Sequence, residues 1–393
     1  MGSGDTLAFF DCDQHYYEPV DAFTRHLPKG WADRTVQVAT IEGRTRYIVA
    51  GRVDGTVSNP TFDPIVKPGV MEQFFRGNPA KKELREYLAE REPLPDYYVD
   101  RDARIVKLDE QQIDRTWMLP TLGMGIEAGL EDDPEAAGVA FKAFNRYLLD
   151  DWGFDHLHRI YTAPYLAFGD VRACVAEIEF GLENGAKIFV VRPQAVHTLD
   201  GWKSPGDPYF DPIWARLDEA GVTLVVHIAE VSGAGLDRYL PYQGNIINVA
   251  EPALQTAVGH ERAISNYLGA ITCDRVFERF PKVRVASVEN GAGFLPLLLA
   301  GLNRAGFQRP SYFASDPVQQ FKDHVWVAPF WEDDLLETVG HIGVDRVLFG
   351  SDYPHPEGLA EPRHYEKVAA ELEDVESIGK VMCRNTAALT GVN

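Results

Sequence analysis

A series of short apolar runs, most of them followed by a helix-like segment, restricts the fold of this chain more than any other feature. In residues 186–191 and 222–227 the apolar positions are nearly continuous rather than alternating. Such runs are typical of strands buried on both faces, as in a parallel sheet covered by helices. Eight runs of this kind stand at 7–10, 116–119, 159–161, 186–191, 222–227, 283–288, 325–327 and 346–349. Eight strand–helix units predict the α/β class and a (β/α)8 TIM barrel.

The segment between the first two runs departs from this pattern. Residues 36–38 and 46–49 are β-type runs separated by a turn at 42–44, which predicts an inserted β-hairpin after strand one. No linker-like composition divides the chain. We therefore expect residues 1–393 to form a single barrel domain, with residues from about 30 to 100 as a subdomain on it.

Long connections follow strands five and six. They cover residues 231–248 and 301–316. Connections of this length inside a compact domain often serve as lids or binding loops. Each of these connections could be an active-site lid or an arm that forms a dimer. We also expect the protein to form a homo-oligomer.

The charge of the chain excludes some classes of partner. Aspartate and glutamate total 59 against 38 lysines and arginines, which gives a formal charge of −21. Nucleic acid and anionic membrane surfaces repel such a chain, and no apolar run approaches transmembrane length. We expect a small-molecule substrate and neither a nucleic-acid nor a membrane partner.

The cysteines and the N-terminus favour a cytoplasmic location. Cys12, Cys174, Cys273 and Cys383 form no CxxC pair, which favours reduced thiols over a disulfide scaffold or a cysteine zinc site. The N-terminal residues lack the basic and apolar regions of a signal peptide.

Metal-ligating side chains follow the first apolar run. Asp11, Asp13 and His15 alternate along an extended segment and should project to one side of it, and Glu18 follows three residues later. Carboxylates combined with imidazole favour zinc, manganese or iron over calcium. The pattern predicts a divalent metal site, although a polar turn would explain any one of these residues alone.

Further polar side chains stand at later strand ends. Arg192, His227, Glu289 and Asp352 follow the fourth, fifth, sixth and eighth runs. The carboxyl ends of barrel strands converge on one face, so we expect these side chains to meet the ligands of strand one. Taken singly, His227 could be a core histidine, Asp352 a helix cap, and Arg192 part of a salt bridge between core and surface.

The motifs around these positions resemble a known family. Residues 11–19, 226–227, 279–296 and 350–355 are similar to the amidohydrolase superfamily, in the branch of aminocarboxymuconate semialdehyde decarboxylase and the resorcylate-type decarboxylases. The resemblance extends to a closing helix at 385–389. It implies a metal-dependent enzyme that cleaves a C–N, C–O or C–C bond, by hydrolysis or non-oxidative decarboxylation, in a small carboxylated, cyclic or aromatic substrate.

The resemblance also implies roles for single residues. Asp13, His15, His227 and Asp352 match the family's metal-binding positions, and Asp352 would act as the acid or base. The reaction would use metal-activated water or a metal-chelated substrate. Glu289 stands where the decarboxylases carry a catalytic histidine, which departs from the family pattern.

Additional ligand-type residues leave the number of metal ions open at one or two. Glu18, His260 and Glu289 add to the set, and Asp-x-His-x-x-Glu resembles a pattern of dinuclear iron oxygenases in this branch. A non-haem dinuclear iron oxygenase is therefore one alternative, and a catalytically silent binding barrel is another. His260 could equally be an exposed helix histidine.

Candidate substrate contacts complete the prediction. Arg192 is a candidate catalytic residue, with Asp352 and Glu289, because a guanidinium can bind a substrate carboxylate through two hydrogen bonds. Aromatic side chains around the predicted mouth suit an aromatic substrate. The substrate-binding candidates are Arg192, Tyr17, Trp331 and His355.

Overall fold

The computed structural model describes residues 7–55, 59–229 and 260–392, and the side chain of His260 lies outside that description. The strands are β1 Phe10–Tyr16, β2 Val36–Ile41, β3 Arg44–Val49, β4 Arg52–Val53, β5 Ile65–Val66, β6 Arg91–Glu92, β7 Arg115–Pro120, β8 Ile160–Thr162, β9 Ile188–Val191, β10 Val196–Thr198, β11 Gly201–Lys203, β12 Thr223–His227, β13 Arg284–Val288 and β14 Val325–Val327. The α-helices are Glu72–Phe75, Leu84–Tyr87, Arg101–Gln111, Gly123–Leu130, Pro134–Asp151, Val171–Glu183, Asp211–Ala220, His260–Cys273, Val276–Arg279, Leu295–Gln308, Pro317–His324, Leu335–Ile342, Tyr365–Ala369, Val375–Gly379 and Asn385–Thr390. The predicted α/β class is confirmed. Across these ranges, no helix combines the length and the apolar character needed to cross a membrane.

Two parallel sheets lie at the centre of the fold. One has the strand order β1–β7–β8, and the other has the order β14–β13–β12–β9. Leu166, just after β8, donates its N–H to β9, and the segment 347–349 exchanges backbone hydrogen bonds with both β14 and β1, each at 2.9 Å. The hydrogen-bonded path therefore runs through eight chain segments and returns to β1.

Two of the predicted strands differ from their expected bounds. The first begins at Phe10 and runs to Tyr16, so Asp13 and His15 lie inside a fully buried strand rather than after it. The last run is not a regular strand, because Arg346 ends a 3-10 turn and Val347 forms only an isolated bridge to Val327.

The predicted hairpin is present in the segment between β1 and β7. β2 pairs antiparallel with β3, and Ile41 faces Arg44 across a two-residue turn. Glu42 and Gly43 have φ angles of 50° and 74°, which is the left-handed backbone that two-residue hairpin turns require.

The C-terminal helix Asn385–Thr390 packs on the amino ends of the strands, away from the carboxyl ends where the site lies. The Thr223 hydroxyl, at the start of β12, donates to Leu389 O at 2.8 Å. Asn385 Nδ2 donates to the carbonyls of Val344 and Val347, at 2.8 Å each, and so holds the irregular eighth segment in place.

We expect Asn385→Ala to lower the stability of the protein by about 1–3 kcal/mol, because the two carbonyls lose their amide donor inside the fold. Thermal unfolding measures the effect as a lower Tm. Asn303→Ala is the matched control, since Asn303 is exposed on the helix Leu295–Gln308. Equal Tm values for Asn385→Ala and Asn303→Ala would contradict the conclusion that Asn385 holds the eighth segment in place.

Candidate metal centre

Ligand-type side chains from different strands meet at the carboxyl ends of the central sheets. His227 is the last residue of β12, Glu289 directly follows β13, and Asp352 follows the segment 347–349. Asp13 and His15 come from β1. Neighbouring parallel strands open onto the same face, which explains how residues far apart in sequence come together.

Four donor atoms form the centre of the site. Single atoms of Asp13, His15, His227 and Glu289 all lie within 4.8 Å of one another. His15 Nε2 lies 3.3 Å from Asp13 Oδ1, 3.3 Å from Glu289 Oε2 and 3.3 Å from His227 Nε2. His227 Nε2 lies 2.8 Å from Glu289 Oε2 and 3.6 Å from Asp13 Oδ1. We call these four residues the donor cluster.

The spacing of the donor cluster fits a small divalent cation. Ligand atoms at about 2.0–2.1 Å from a tetrahedral ion stand about 3.3 Å apart, close to the separations above. Asp13 Oδ1 and Glu289 Oε2 are buried, and their contacts in the cluster are with the imidazole nitrogens given above. Buried carboxylate oxygens need a compensating partner, and a cation among the four atoms would supply it.

The backbone orients one of the two imidazoles. His227 Nδ1 lies 3.0 Å from Ile228 O. A carbonyl can only accept, so Nδ1 carries the hydrogen and Nε2 can present its lone pair to the cluster. This is the arrangement expected of a histidine metal ligand.

Strong electrostatic coupling is the main property of the cluster. Burial lowers the pKa of His227, but the charges and hydrogen bonds of Glu289 and Asp13 together outweigh burial and raise this pKa to about 10. Burial favours protonation of Glu289, but His227 and His15 hold its pKa below the usual range. Without a metal, protons on the imidazoles balance the carboxylates.

A second group of ligand-type atoms adjoins the first. It comprises His15, Glu289, Asp352 and His355. Asp352 Oδ1 lies 3.4 Å from His15 Nε2 and 2.6 Å from His355 Nδ1. The His355 ring lies over the His15 ring with centroids 4.0 Å apart. Asp352 therefore lies at the boundary between the donor cluster and His355.

The surroundings of His355 favour the protonated form of Asp352 in the metal-free protein. The Thr121 hydroxyl donates to Tyr16 O at 2.7 Å, so it accepts from His355 Nε2, 3.2 Å away. Burial holds the pKa of His355 well below its usual value, which favours the neutral imidazole. In that form Nδ1 accepts, and the carboxyl group of Asp352 is the donor in the 2.6 Å contact. Burial and the charge of Glu289 raise the pKa of Asp352 well above its usual value, in agreement.

Among the described side chains, Glu18 is not part of either group. Glu18 is buried, and its Oε1 accepts from Leu122 N at 2.9 Å. Glu18 lies two residues after β1, and this bond joins it to the backbone that follows β7. The side chain of His260 lies outside the described residues, so its role as a ligand stays a prediction.

Arg192 does not take the position expected of a substrate contact. It is 1% exposed and does not line the large cavity over the donor cluster. Its Nε lies 3.0 Å from Glu127 Oε2 and its Nη2 lies 2.9 Å from Glu131 Oε2. The alternative of a salt bridge therefore describes Arg192, and we remove it from the substrate-binding and catalytic candidates.

The other substrate candidates do face a cavity. Tyr17, Trp331 and His355 line a space of about 1630 Å³ together with the donor cluster and Asp352. Tyr17 packs edge-on to His355, with ring centroids 5.9 Å apart. Trp331 lies under the guanidinium of Arg76, 4.5 Å from the ring centroid. The donor cluster is therefore reachable from an aromatic-lined space.

Sequence reasoning missed a buried arginine behind the site. Arg104 is fully buried, and it donates to His15 O at 2.6 Å and to Tyr97 O at 2.7 Å. These bonds hold the backbone of β1 where His15 projects into the cluster. Arg104 lies in a charged helix, where its sequence context resembles that of a surface residue, so no local signal distinguishes it.

Asp11 was expected beside Asp13 and His15, but it has another role. The register of β1 against β7 shifts between Asp11 and Gln14, which breaks the simple alternation. Asp11 instead accepts hydrogen bonds from the Ser351 N–H at 3.0 Å and from the Ser351 hydroxyl at 2.5 Å. It therefore ties β1 to the loop that carries Asp352.

Comparison with known proteins agrees with this geometry. A family model described as Amidohydrolase matches residues 100–391. The chain belongs to the amidohydrolase family. An amidohydrolase of Mycobacterium avium subsp. paratuberculosis K-10 has 40% sequence identity, covers 98% of this chain and 100% of its own, and superposes with a TM-score of 0.92.

Two decarboxylases are more distant relatives. The 2-amino-3-carboxymuconate-6-semialdehyde decarboxylase of Dictyostelium discoideum is 23% identical over 201 residues, covering 49% of this chain and 48% of that protein, so the match spans about half of each. A dihydroxybenzoic acid decarboxylase of Polaromonas sp. JS666, with bound manganese and the inhibitor 2-nitroresorcinol, has 12% identity, 98% and 97% coverage and a TM-score of 0.65. The second likeness shows the fold alone. The family branch predicted from the motifs is confirmed by the family model and the decarboxylase of Dictyostelium discoideum.

We expect Asp13→Asn to weaken the binding of manganese or zinc by at least about tenfold, because it removes a charged oxygen from the donor cluster. Elemental analysis after dialysis, and the rise in Tm on metal addition, measure the effect. Glu332→Gln is the matched control, since Glu332 lines the same cavity but belongs to neither ligand group. Unchanged metal content in Asp13→Asn would contradict the metal centre.

We expect Glu18→Gln to flatten the pH dependence of stability in metal-free protein. Burial raises the pKa of Glu18 from 4.5 to about 7, so the folded state keeps a proton that the unfolded state releases, and stability falls as pH rises through this window. Glutamine has no proton to release, so Glu18→Gln removes this decrease in the free energy of unfolding, which reaches up to about 3 kcal/mol near neutral pH.

Tm values measured between about pH 5 and 7.5 test this expectation. Glu371→Gln, at an exposed position, is the control and should follow the wild-type protein. The Glu18→Gln variant should also keep its metal. A loss of bound metal would instead make Glu18 a ligand.

Proposed function

We propose that this chain is a metal-dependent enzyme that removes carbon dioxide from a cyclic or aromatic carboxylic acid without oxidation. The observation that carries the proposal is the position of Asp352, whose Oδ1 lies 3.4 Å from His15 Nε2 of the donor cluster and 2.6 Å from His355 Nδ1. A carboxylic acid beside a metal-type donor cluster, at the surface of a large cavity, can protonate a substrate carbon. The decarboxylase among the sequence relatives supports the same class of reaction.

Asp13, His15, His227 and Glu289 would hold one divalent ion, with Asp352 beside it. Zinc, manganese and iron all suit nitrogen and carboxylate ligands, and manganese is bound in the Polaromonas decarboxylase. When bound, such an ion supplies positive charge that attracts the substrate carboxylate and an adjacent oxygen and stabilises charge in the transition state.

The chemical step then belongs to Asp352. Its carboxyl proton moves to the ring carbon that bears the carboxylate, and a new C–H bond forms. The bond between that carbon and the carboxylate breaks, its electron pair returns to the ring, and carbon dioxide leaves. Asp352 remains as a carboxylate and regains its proton from solvent, so no oxidant or reductant takes part.

His355 is a positioning residue in this proposal. Its Nδ1 lies 2.6 Å from Asp352 Oδ1, and its Nε2 lies 3.2 Å from the Thr121 hydroxyl. A neutral imidazole at this place keeps the carboxyl group oriented, and it also prevents Asp352 from turning away from the cavity.

Other readings of the site have less support. Hydrolysis would need Asp352 as a base, whereas its surroundings favour the protonated form. The dinuclear iron oxygenase needs further ligands such as Glu18 and His260, but Glu18 belongs to neither ligand group and its Oε1 accepts from a backbone N–H. The relatives described above give neither this alternative nor a silent binding barrel any support.

The finer points of architecture belong to the same proposal. We take the closed path through eight segments as a (β/α)8 barrel, residues 1–393 as one domain, and residues from about 30 to 100 as a subdomain that covers the cavity. A homo-oligomer and a cytoplasmic location are also proposed. The connection at 231–248 lies outside the described residues.

We expect Asp352→Asn to lower kcat by about 10²–10⁴-fold, because an amide cannot deliver the proton. Wild-type protein loaded with manganese is incubated with ortho-hydroxy aromatic acids in D2O, and NMR follows carbon dioxide release and one deuterium on the product. Glu332→Gln serves as the control. Ring opening of cyclic amides or lactones without carbon dioxide release, or wild-type rates in Asp352→Asn, would contradict the proposal.

A further inference from the structure

The cavity over the donor cluster is larger than a single aromatic ring requires. Its volume is about 1630 Å³, whereas pockets for drug-sized ligands span about 300–1,000 Å³. We infer that the substrate carries, beside its reacting acid group, an apolar body larger than one aromatic ring, formed by fused rings or a long hydrocarbon chain. This inference rests on the proposed function for the identity of the reacting group.

The segment between β1 and β7 supplies an apolar wall to this cavity. We define the wall as Phe74, Phe75, Leu84 and Leu88, all of which line the cavity. None of the four is buried, and Phe75 is 40% exposed. Apolar side chains grouped on one exposed surface indicate a binding site. A single-ring acid held at the donor cluster would leave this wall in contact with water.

Apolar residues from other elements continue the same lining. Leu297 projects into the cavity and is 77% exposed, although it lies on a helix with a well-packed opposite face. Phe294, Met124 and Ile65 also contribute to the lining. The apolar character therefore comes from several parts of the chain, as expected of a cavity shaped for one extended ligand.

Backbone contacts fix the wall relative to the acid. Gly69 N donates to His355 O at 3.2 Å, and Met71 N donates to Pro356 O at 2.9 Å. A Cβ at Gly69, where φ is +66°, would lie 2.5 Å from Ala360 N, so the two segments are in close contact. The segment that leads into Phe74 and Phe75 is thus bonded to residues 355 and 356, close to Asp352, so a ligand seated at the acid would have this part of the wall nearby.

Binding of a graded ligand series tests the inference. Manganese-loaded full-length protein is titrated calorimetrically with three acids that share one head: 2-hydroxybenzoate, 1-hydroxy-2-naphthoate and 4-octyl-2-hydroxybenzoate. Transfer of apolar surface from water to the wall should lower the Kd by at least about tenfold for at least one of the two extended acids, with one ligand bound per chain.

Two opposite changes in the wall make the test specific. Leu84→Ser combined with Leu88→Ser removes apolar surface, and Leu88→Trp fills space. In both variants, the Kd of the extended acids should become similar to the Kd of 2-hydroxybenzoate. The double serine variant does this by removing apolar contacts, and Leu88→Trp does it by blocking the space that the extended acids occupy. Leu199→Ser is the control, because Leu199 is 80% exposed and does not line the cavity. Thermal unfolding confirms that each variant is folded.

The outcomes separate this inference from the proposed function. Equal Kd values for all three acids in the wild-type protein, or a preference that both wall variants retain, would overturn the inference. Tighter binding of an extended acid that depends on the wall supports it, even where no carbon dioxide is released and the proposed reaction fails. Carbon dioxide release from 2-hydroxybenzoate without a size preference would keep the reaction and overturn only the inference.

Discussion

The concentration of negative charge around one imidazole nitrogen governs this site. Oxygen atoms of Asp13, Glu289 and Asp352 lie 3.3, 3.3 and 3.4 Å from His15 Nε2 in a buried setting. Three carboxylates this close cannot all be ionised without positive charge among them. In the metal-free protein, protons on the imidazoles and on Asp352 supply the balance. The same arrangement lowers the stability of the metal-free protein and favours the binding of a divalent cation.

A cluster of this kind requires a scaffold that does not relax. β1 carries two of the ligands, and the buried Arg104 holds its backbone through bonds to carbonyls at His15 and Tyr97. The bond between Asp11 and Ser351 ties β1 to the loop of Asp352. The C-terminal helix covers the amino ends of the strands. The contacts that stabilise the fold there are thus separate from the donor cluster at the carboxyl ends, as is usual in barrel-type folds.

The fold class and most of the donor cluster could be predicted from sequence because burial and topology leave direct signals. Continuous apolar runs indicate strands buried on both faces, and a strand-end position places His227 and Glu289 on one face of the sheet. A strand-end position does not reveal partners, however. Arg192 meets glutamates from a distant helix, and Glu18 meets a backbone N–H. Such contacts depend on three-dimensional packing that no local pattern encodes.

Glu289 connects the departure from the family pattern with the proposed chemistry. By resemblance, decarboxylases of this branch carry a histidine at this place, which can itself donate a proton. A carboxylate here cannot take that role while its pKa stays below the usual range. It does, however, place a negative charge beside Asp352, and after burial that charge is the main cause of the raised pKa of Asp352. Glu289 therefore cannot supply that proton itself, but its charge favours the protonated form of Asp352, the residue to which the resemblance also assigns the acid or base role.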